Sequence, residues 1–330
     1  MRPRKPTAKQ VAYAAGVSLA AVSRAFAPNA PLDKEKRKRI LAAADKLGYV
    51  SPARRTAEAI TAGTVTLVAG DFSNPFYPMV LDSLSRKLQL SNRQLLVYAL
   101  PSPSDVDRAL SQILAARPKA VIVSSTQLTS SMARACRQHG IKIVFFNRTQ
   151  SDGDFDSVTC DNYAGGRDIA QYLIAKGRRR IGFVGGIRDT STHRGRARGF
   201  QDALKEAGHE LHCQFDGAFD YRIGYQAATA ALSGPTRPDA LFCCNDVMAL
   251  AAIDYAREKG LSVPDDVAIV GFDDIPMGAW RPYRLTTVRQ PVEQMMDEAI
   301  DMIDAAADNK NQSGAVVRSL RGKLIVRSSA

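Results

Sequence analysis

The 330-residue chain contains no run of about 18 apolar residues, which excludes a membrane-spanning helix. No apolar stretch or small-residue cleavage site follows the basic start Met1-Arg2-Pro3-Arg4-Lys5-Pro6-Thr7, so no secretory leader is expected. Cysteine is scarce. Cys136, Cys160, Cys213, Cys243 and Cys244 are odd in number and scattered, without CxxC or metal spacing, and are expected to be reduced, buried thiols of a cytoplasmic protein. Catalytic signatures are missing as well: there is no G-x-S-x-G, no G-x-x-x-x-G-K-[ST] and no His pair at metal spacing. His209 and His212 are expected to lie exposed after a helix, and Gly185-Gly186 is too short for a dinucleotide fingerprint. No catalytic residue, metal or cofactor is therefore expected, and the chain reads as a non-enzyme. What remains, 45% hydrophobic and 24% charged residues, is the balance of a soluble protein with a substantial core in two to three domains.

Charge is present in excess and unevenly placed. The net charge is +12, and residues 1–60 hold 13 Lys/Arg against 4 Asp/Glu, while the remaining residues are almost neutral. A basic head on a neutral body points to a module that meets a polyanion. A solvated or disordered basic arm would have the same charge, but the patterning inside the head argues for a folded module.

Thr7-Ala8-Lys9-Gln10 has the form of a capping box, so a helix should start near Ala8 with Val11, Ala12 and Ala15 inward. Gly16 suits the turn that closes it. Ser18 can cap a second helix from Leu19 to about Phe26, with Ala21, Val22, Ala25 and Phe26 on its inner face. Two short helices across a Gly-containing turn form a helix-turn-helix. After the loop Pro28–Pro31, Asp33 should cap a third helix with Ile40, Leu41, Ala44 and Leu47 on one side. Lys34, Lys36, Arg37, Lys38 and Arg39 crowd its first turns against the helix dipole, a cost that a nearby phosphate would offset.

Ala12-Tyr13-Ala14-Ala15-Gly16-Val17-Ser18, then Ala21-Val22-Ser23-Arg24, then Leu47-Gly48-Tyr49, resembles the DNA-binding head of the lactose-repressor (LacI/GalR) family. The resemblance implies that the second helix enters the major groove of a double-stranded operator. Arg24 can then bond guanine or phosphate, Leu19 and Ala20 can make only apolar base contacts, and Ser18 and Ser23 can bond phosphates. The implied DNA-contacting set is Thr7, Ser18, Leu19, Ala20, Ser23, Arg24, Arg55 and Ile60. The last two belong to a hinge segment, Ser51-Pro52-Ala53-Arg54-Arg55-Thr56-Ala57-Glu58-Ala59-Ile60, that departs from the family pattern. Its ungapped register places Glu58 where relatives carry a minor-groove wedge, whereas a two-residue shift makes Ile60 the wedge.

From Val65 onward, short β-branched runs alternate with helical stretches: Val65–Ala69, Leu95–Ala99, Ala120–Ser124, Lys142–Phe146, Ile181–Val184, Ala240–Cys243 and Val267–Val270. Such alternation predicts parallel sheets flanked by helices, in two lobes whose strand-end loops face a crevice. The family resemblance extends here through Ser73–Tyr77, Val158–Asn162, Arg196–Phe200, Asn245-Asp246, Gly271–Asp274, Leu285–Val288 and Leu324–Ser329. It implies an α/β fold: a helix-turn-helix head plus a two-lobed periplasmic-binding-protein-like core. The head is expected at 1–49 and the hinge at 50–62. The core is expected at 63–330, its first lobe at about 63–160 and 292–318 and its second at about 161–291 and 319–330.

By the same resemblance, Phe76, Arg196, Phe219, Asn245 and Asp273 contact a small effector, and Asn147 and Arg148 join them as candidates. Phe76 and Phe219 offer flat faces, Arg196 a fork of donors, Asn245 a donor and an acceptor, and Asp273 an acceptor of hydroxyl hydrogens. Asn147 stands where relatives often carry an acid before Arg. The expected effector is a sugar, with a sugar acid, a sugar phosphate or a nucleobase as alternatives, and two arginines tilt the balance towards an acidic ligand. No apolar heptad tail is present, so a homodimer is expected. The function implied is a cytoplasmic, ligand-responsive transcriptional repressor; a transporter's solute-binding protein shares the two-lobe fold, but the DNA-binding head argues against that role.

Overall fold

The computed structural model describes residues 6–27, 30–49, 51, 63–70, 72–100, 106–124, 130–149, 155–308 and 314–330. The chain divides into two compact units, Met1–Gly63 and Thr64–Ala330.

The first unit is built from α1 (Ala8–Ala15), α2 (Leu19–Phe26) and α3 (Lys34–Leu47). Thr7 and Gln10 complete the capping box, Ser18 accepts from the Ala21 amide, and Asp33 accepts from the Lys36 amide. Gly16 and Gly48 close α1 and α3 in the left-handed conformation that a side chain disfavours. Val11, Ala15, Val22, Ala25, Ile40 and Ala44 form a small core, and Phe26 meets Tyr49 edge-on at 5.7 Å. Leu41 and Leu47, expected inside, are each 40% exposed. The buried stripe of α3 is the i, i+4 pair Ile40 and Ala44, and the short α1 and α2 cover no wider strip.

Among the described residues, the second unit holds two six-stranded sheets of matching strand order. The first is formed by β1 (Thr64–Ala69), β2 (Gln94–Ala99), β3 (Ala120–Val123), β4 (Lys142–Phe146), β5 (Asp156–Cys160) and β11 (Val317–Leu320), in the order β11-β5-β4-β3-β1-β2, all parallel. In the second, β6 (Ile181–Gly185), β7 (Cys213–Asp216), β8 (Ala240–Cys243), β9 (Ala268–Asp273), β10 (Thr286–Arg289) and β12 (Lys323–Ile325) run in the order β12-β10-β9-β8-β6-β7, with only β12 antiparallel. Helices α4 (Phe76–Leu90), α5 (Val106–Ala116), α6 (Ser130–Gln138) and α11 (Val292–Asp308) belong with the first sheet. Helices α7 (Asn162–Ala175), α8 (Ser191–Glu206), α9 (Tyr221–Leu232) and α10 (Asp246–Glu258) belong with the second. Central strands such as β1, β3 and β9 are buried throughout, as parallel strands covered on both faces must be.

Among the described residues the chain passes between lobes three times: at Asp161 between β5 and α7, at Gln290-Pro291 between β10 and α11, and at Arg321-Gly322 between β11 and β12. The last passage replaces the expected division at 318/319, which falls inside β11; that strand pairs with β5 from Val317 to Leu320. In each sheet the strand order reverses beside its first strand, at β1/β3 and at β6/β8. Loops at the carboxyl ends of strands flanking such a switch point form a natural crevice.

Candidate functional site

At this end of the strands lies a cavity of about 240 Å³. Phe76, Asn147, Arg148, Arg196, Phe219, Asn245 and Asp273 all lie on its wall. Gly70, Ser73, Asn74, Tyr77, Leu100, Ile187, Thr190, Thr192, Ala218 and Asp220, which sequence reasoning did not single out as site residues, line it too. Most stand within a few residues of a strand's carboxyl end, a signal that strand assignment alone could have supplied. Thr149 donates its amide to Ser191 Oγ at 3.0 Å, which joins the two lobes beside the cavity.

Backbone conformations around the cavity are unusual. Of the eight non-glycine residues with positive φ among the described residues, five stand on or beside the cavity: Asn147, Ala218, Phe219, Asp273 and Asp274. Such strain persists only where surroundings enforce it. The Phe219 ring lies against Gly186 so closely that a Cβ there would sit 2.1 Å from the ring. The Gly186 amide donates to His193 Nδ1 at 3.0 Å, so the neutral ring carries its proton on Nε2; burial pushes its pKa down and favours that form. Gly185-Gly186 is thus a seat for Phe219 and His193.

Arg196 is 2% exposed and is spent within the protein. Its Nε donates to Asn162 Oδ1 at 2.8 Å, its Nη1 to the Cys244 carbonyl at 2.6 Å, and its Nη2 lies 3.1 Å from Asp273 Oδ1. The guanidinium also stacks 3.8 Å from the centre of the Phe272 ring. Gln290 Nε2 donates to the same Asp273 oxygen at 2.7 Å. The expected free fork of donors is therefore an internal tie: Arg196 and Asp273 neutralise each other and grip Asn162 and Gln290, which stand at two of the three interlobe passages. Asn245 is partly engaged as well. Its Oδ1 caps α10 through the Met248 amide at 3.1 Å and its Nδ2 reaches the Phe219 carbonyl at 3.4 Å.

Arg148 and Asn147 differ from these. Among the described residues, Arg148 Nε and Asn147 Oδ1 are buried and find no hydrogen-bond partner. Burial pushes the Arg148 guanidinium below its ordinary range, and the opposing influence is the Tyr77 phenol rather than any carboxylate.

Behind the cavity, Asp246 accepts from the Thr287 hydroxyl at 2.5 Å and from the Ile275 amide at 2.8 Å. Burial, with the neighbouring Asp273 carboxylate, pushes it up to about 8, against the pull of those two donors. Burial raises Asp273 too, opposed by Arg196 and Gln290. A raised folded-state pKa means that the native protein holds a proton the unfolded chain has released. Stability from Asp246 is then complete below about pH 4 and is lost as pH rises towards 8, by at most about 1.4 kcal/mol per unit. Asp246→Asn, which imitates the protonated carboxyl, should flatten the fall in unfolding free energy between pH 5 and 8. A slope identical to that of the parent protein would refute the assignment.

In the head, Thr7, Ser18, Leu19, Ala20, Ser23 and Arg24 are all exposed, and Leu19 is 49% so. Arg24 Nε bonds the Ala20 carbonyl at 3.3 Å, which lays the side chain back along α2. Arg37 leaves the expected cation cluster: its guanidinium caps the end of α2 through the carbonyls of Ala25, Ala27 and Ala30. Arg55, Glu58 and Ile60 lie outside the described residues. Tyr13 is 92% exposed on α1.

Comparison with known proteins fits both units. Residues 7–51 match the family described as bacterial regulatory proteins, lacI family, and residues 170–330 match the periplasmic binding protein-like domain. The chain is 30% identical over 329 residues to the HTH-type transcriptional repressor PurR of Serratia proteamaculans, covering 98% of this chain and 96% of that one. The PurR repressor of Proteus mirabilis gives the same identity and coverage. Among solved structures, a complex of the transcriptional regulator CelR with cellobiose is 28% identical, with a TM-score of 0.74 over 98% of this chain and 100% of that chain. A lac repressor dimer bound to operator and the anti-inducer ONPF shares the fold at 21% identity, with a TM-score of 0.73 and 99% of each chain covered.

Proposed function

The chain belongs to the LacI family of bacterial regulatory proteins, and from this premise we propose that its cleft takes a small polyhydroxylated effector that controls operator binding. It is a DNA-binding, ligand-responsive transcriptional repressor, and the reading places it in the cytoplasm with its DNA. The observation that carries the effector reading is the convergence of side chains from both lobes on one cavity, where Asn147, Arg148 and Phe219 stand beside a wall braced by the Arg196–Asp273 tie. Two heads in a dimer suit a palindromic operator of two half-sites. A ligand that favours one arrangement of the lobes over another shifts the population of the DNA-competent state by that difference in affinity. The Arg196–Asp273 tie, which holds two of the passages, gives the cavity a mechanical connection to the lobe angle.

On the DNA side, Thr7, Ser18 and Ser23 would position α2 through phosphates, while Leu19, Ala20 and Arg24 would meet base edges. Arg55 and Ile60 are proposed as hinge contacts. Selection of operators from random duplexes, followed by titration at fixed salt, tests this reading. Arg24→Ala should weaken binding by about 1–3 kcal/mol and relax preference at one base position per half-site. Unchanged affinity and preference would remove Arg24 from the groove.

A further inference from the structure

We infer that the effector carries an anionic group, a carboxylate or a phosphate on a body the size of one sugar ring, which the Arg148 guanidinium receives beside the neutral amide of Asn147. The inference rests on the effector reading above and gives it a chemical class. Two arginines reach the cavity wall and their situations are opposite. Arg196 is matched by Asp273 at 3.1 Å and bonded on three nitrogens, so it brings no uncompensated charge. Arg148 has a buried Nε without a partner, and among the described residues no carboxylate pairs with it. The other described acid on the wall, Asp220, is occupied in capping α9 through the Ile223 amide at 2.9 Å.

Arg148 is half-buried, and an unpaired cation with its Nε cut off from water is costly to hold; an anion delivered by the ligand offsets that cost. Guanidinium bonds to carboxylate or phosphate are charge-assisted and can be bidentate. Residue 147 decides where the anion comes from. An aspartate there would supply it from within; Asn147 adds no charge, and its buried Oδ1 awaits a hydroxyl donor. The cavity of about 240 Å³ is smaller than the ~300–1,000 Å³ typical of larger ligands, which fits a single ring with its acidic substituent.

The test uses the full-length protein at constant ionic strength, with calorimetry and melting shifts as readouts. The probes are D-glucose, D-galactose and D-ribose, the gluconate, galactonate, glucuronate and galacturonate derived from the hexoses, and glucose 6-phosphate and ribose 5-phosphate. At least one acid or phosphate should bind about ten- to a hundred-fold more tightly than its neutral parent, and the arm that responds separates carboxylate from phosphate. Arg148→Gln should abolish that margin. Asn147→Asp should abolish it too, although Arg148 is still present, which a merely structural role for Arg148 does not explain. Equal binding of the neutral parent, or a margin that survives Arg148→Gln, overturns the inference. A panel in which no anionic member binds also overturns it. If the neutral sugars bind in that case, the effector reading stands without it; if nothing binds, both fall together.

Discussion

Arg196→Met is expected to remove about 3–5 kcal/mol of folding stability from the Thr64–Ala330 unit, the cost of leaving one half of a buried ion pair behind. The substitution strands the Asp273 carboxylate, the Asn162 side-chain oxygen and the Cys244 carbonyl, all of which Arg196 satisfies in the folded protein. It also removes the cation from the face of Phe272. Lysine would keep the charge but cannot reproduce three bonds from one planar group, so Arg196→Lys should recover only part of the loss. Arg198, on the same helix and exposed, is the control: Arg198→Met should change stability by no more than about 0.5 kcal/mol. Urea unfolding of the core reads the difference, and a loss below about 1 kcal/mol for Arg196→Met would contradict a buried tie at this place.

Gly199→Ala should be nearly as damaging, for a steric reason. Helices α7 and α8 pack backbone against backbone, and a Cβ built at Gly199 sits 1.9 Å from the Tyr163 carbonyl oxygen and 2.7 Å from its carbon. Neither atom is the end of a flexible side chain, so the added methyl must separate the helices. Gly166 makes the reciprocal approach, with its built Cβ 2.3 Å from the Arg196 carbonyl oxygen. Pushing the pair apart therefore also moves the residue that carries Arg196. A loss near or above the upper end of the usual overpacking range, about 3 kcal/mol, is expected. Gly234→Ala meets nothing within 4 Å and should be close to neutral. Equal melting temperatures for the two variants would show that the helices are not in contact as described.

Much of this architecture is legible in the sequence because local signals agree with one another. The three head helices follow from Thr7, Gly16, Ser18 and Asp33, each of which closes or opens a helix at the expected residue. The seven β-branched runs read as strands all form strands. Those that escaped, β5, β7, β10, β11 and β12, are short and polar or lie at the sheet margins, where one face or edge meets water and the apolar signal thins. Side-chain roles were less legible than positions. Nothing in the order Arg196, Asp273, Gln290 and Asn162 announces that they meet, because they come from four separate segments that only the closed fold joins. The charge of Arg37 likewise hides its place, because its guanidinium is bonded to carbonyls at and just beyond the end of α2. Leu41 and Leu47 share the apolar side expected of α3 with Ile40 and Ala44, but the narrow face of a three-helix head leaves them outside.

Whether ligand in the cleft changes the hold on DNA is read by titrating the full-length protein onto its selected operator, at fixed salt, with and without the best-binding member of the sugar-acid and sugar-phosphate panel. The ligand should change operator affinity by about five-fold or more, in one direction, and the operator should in turn change ligand affinity by the same factor. Saturating ligand that binds the protein and leaves operator affinity untouched would contradict that coupling.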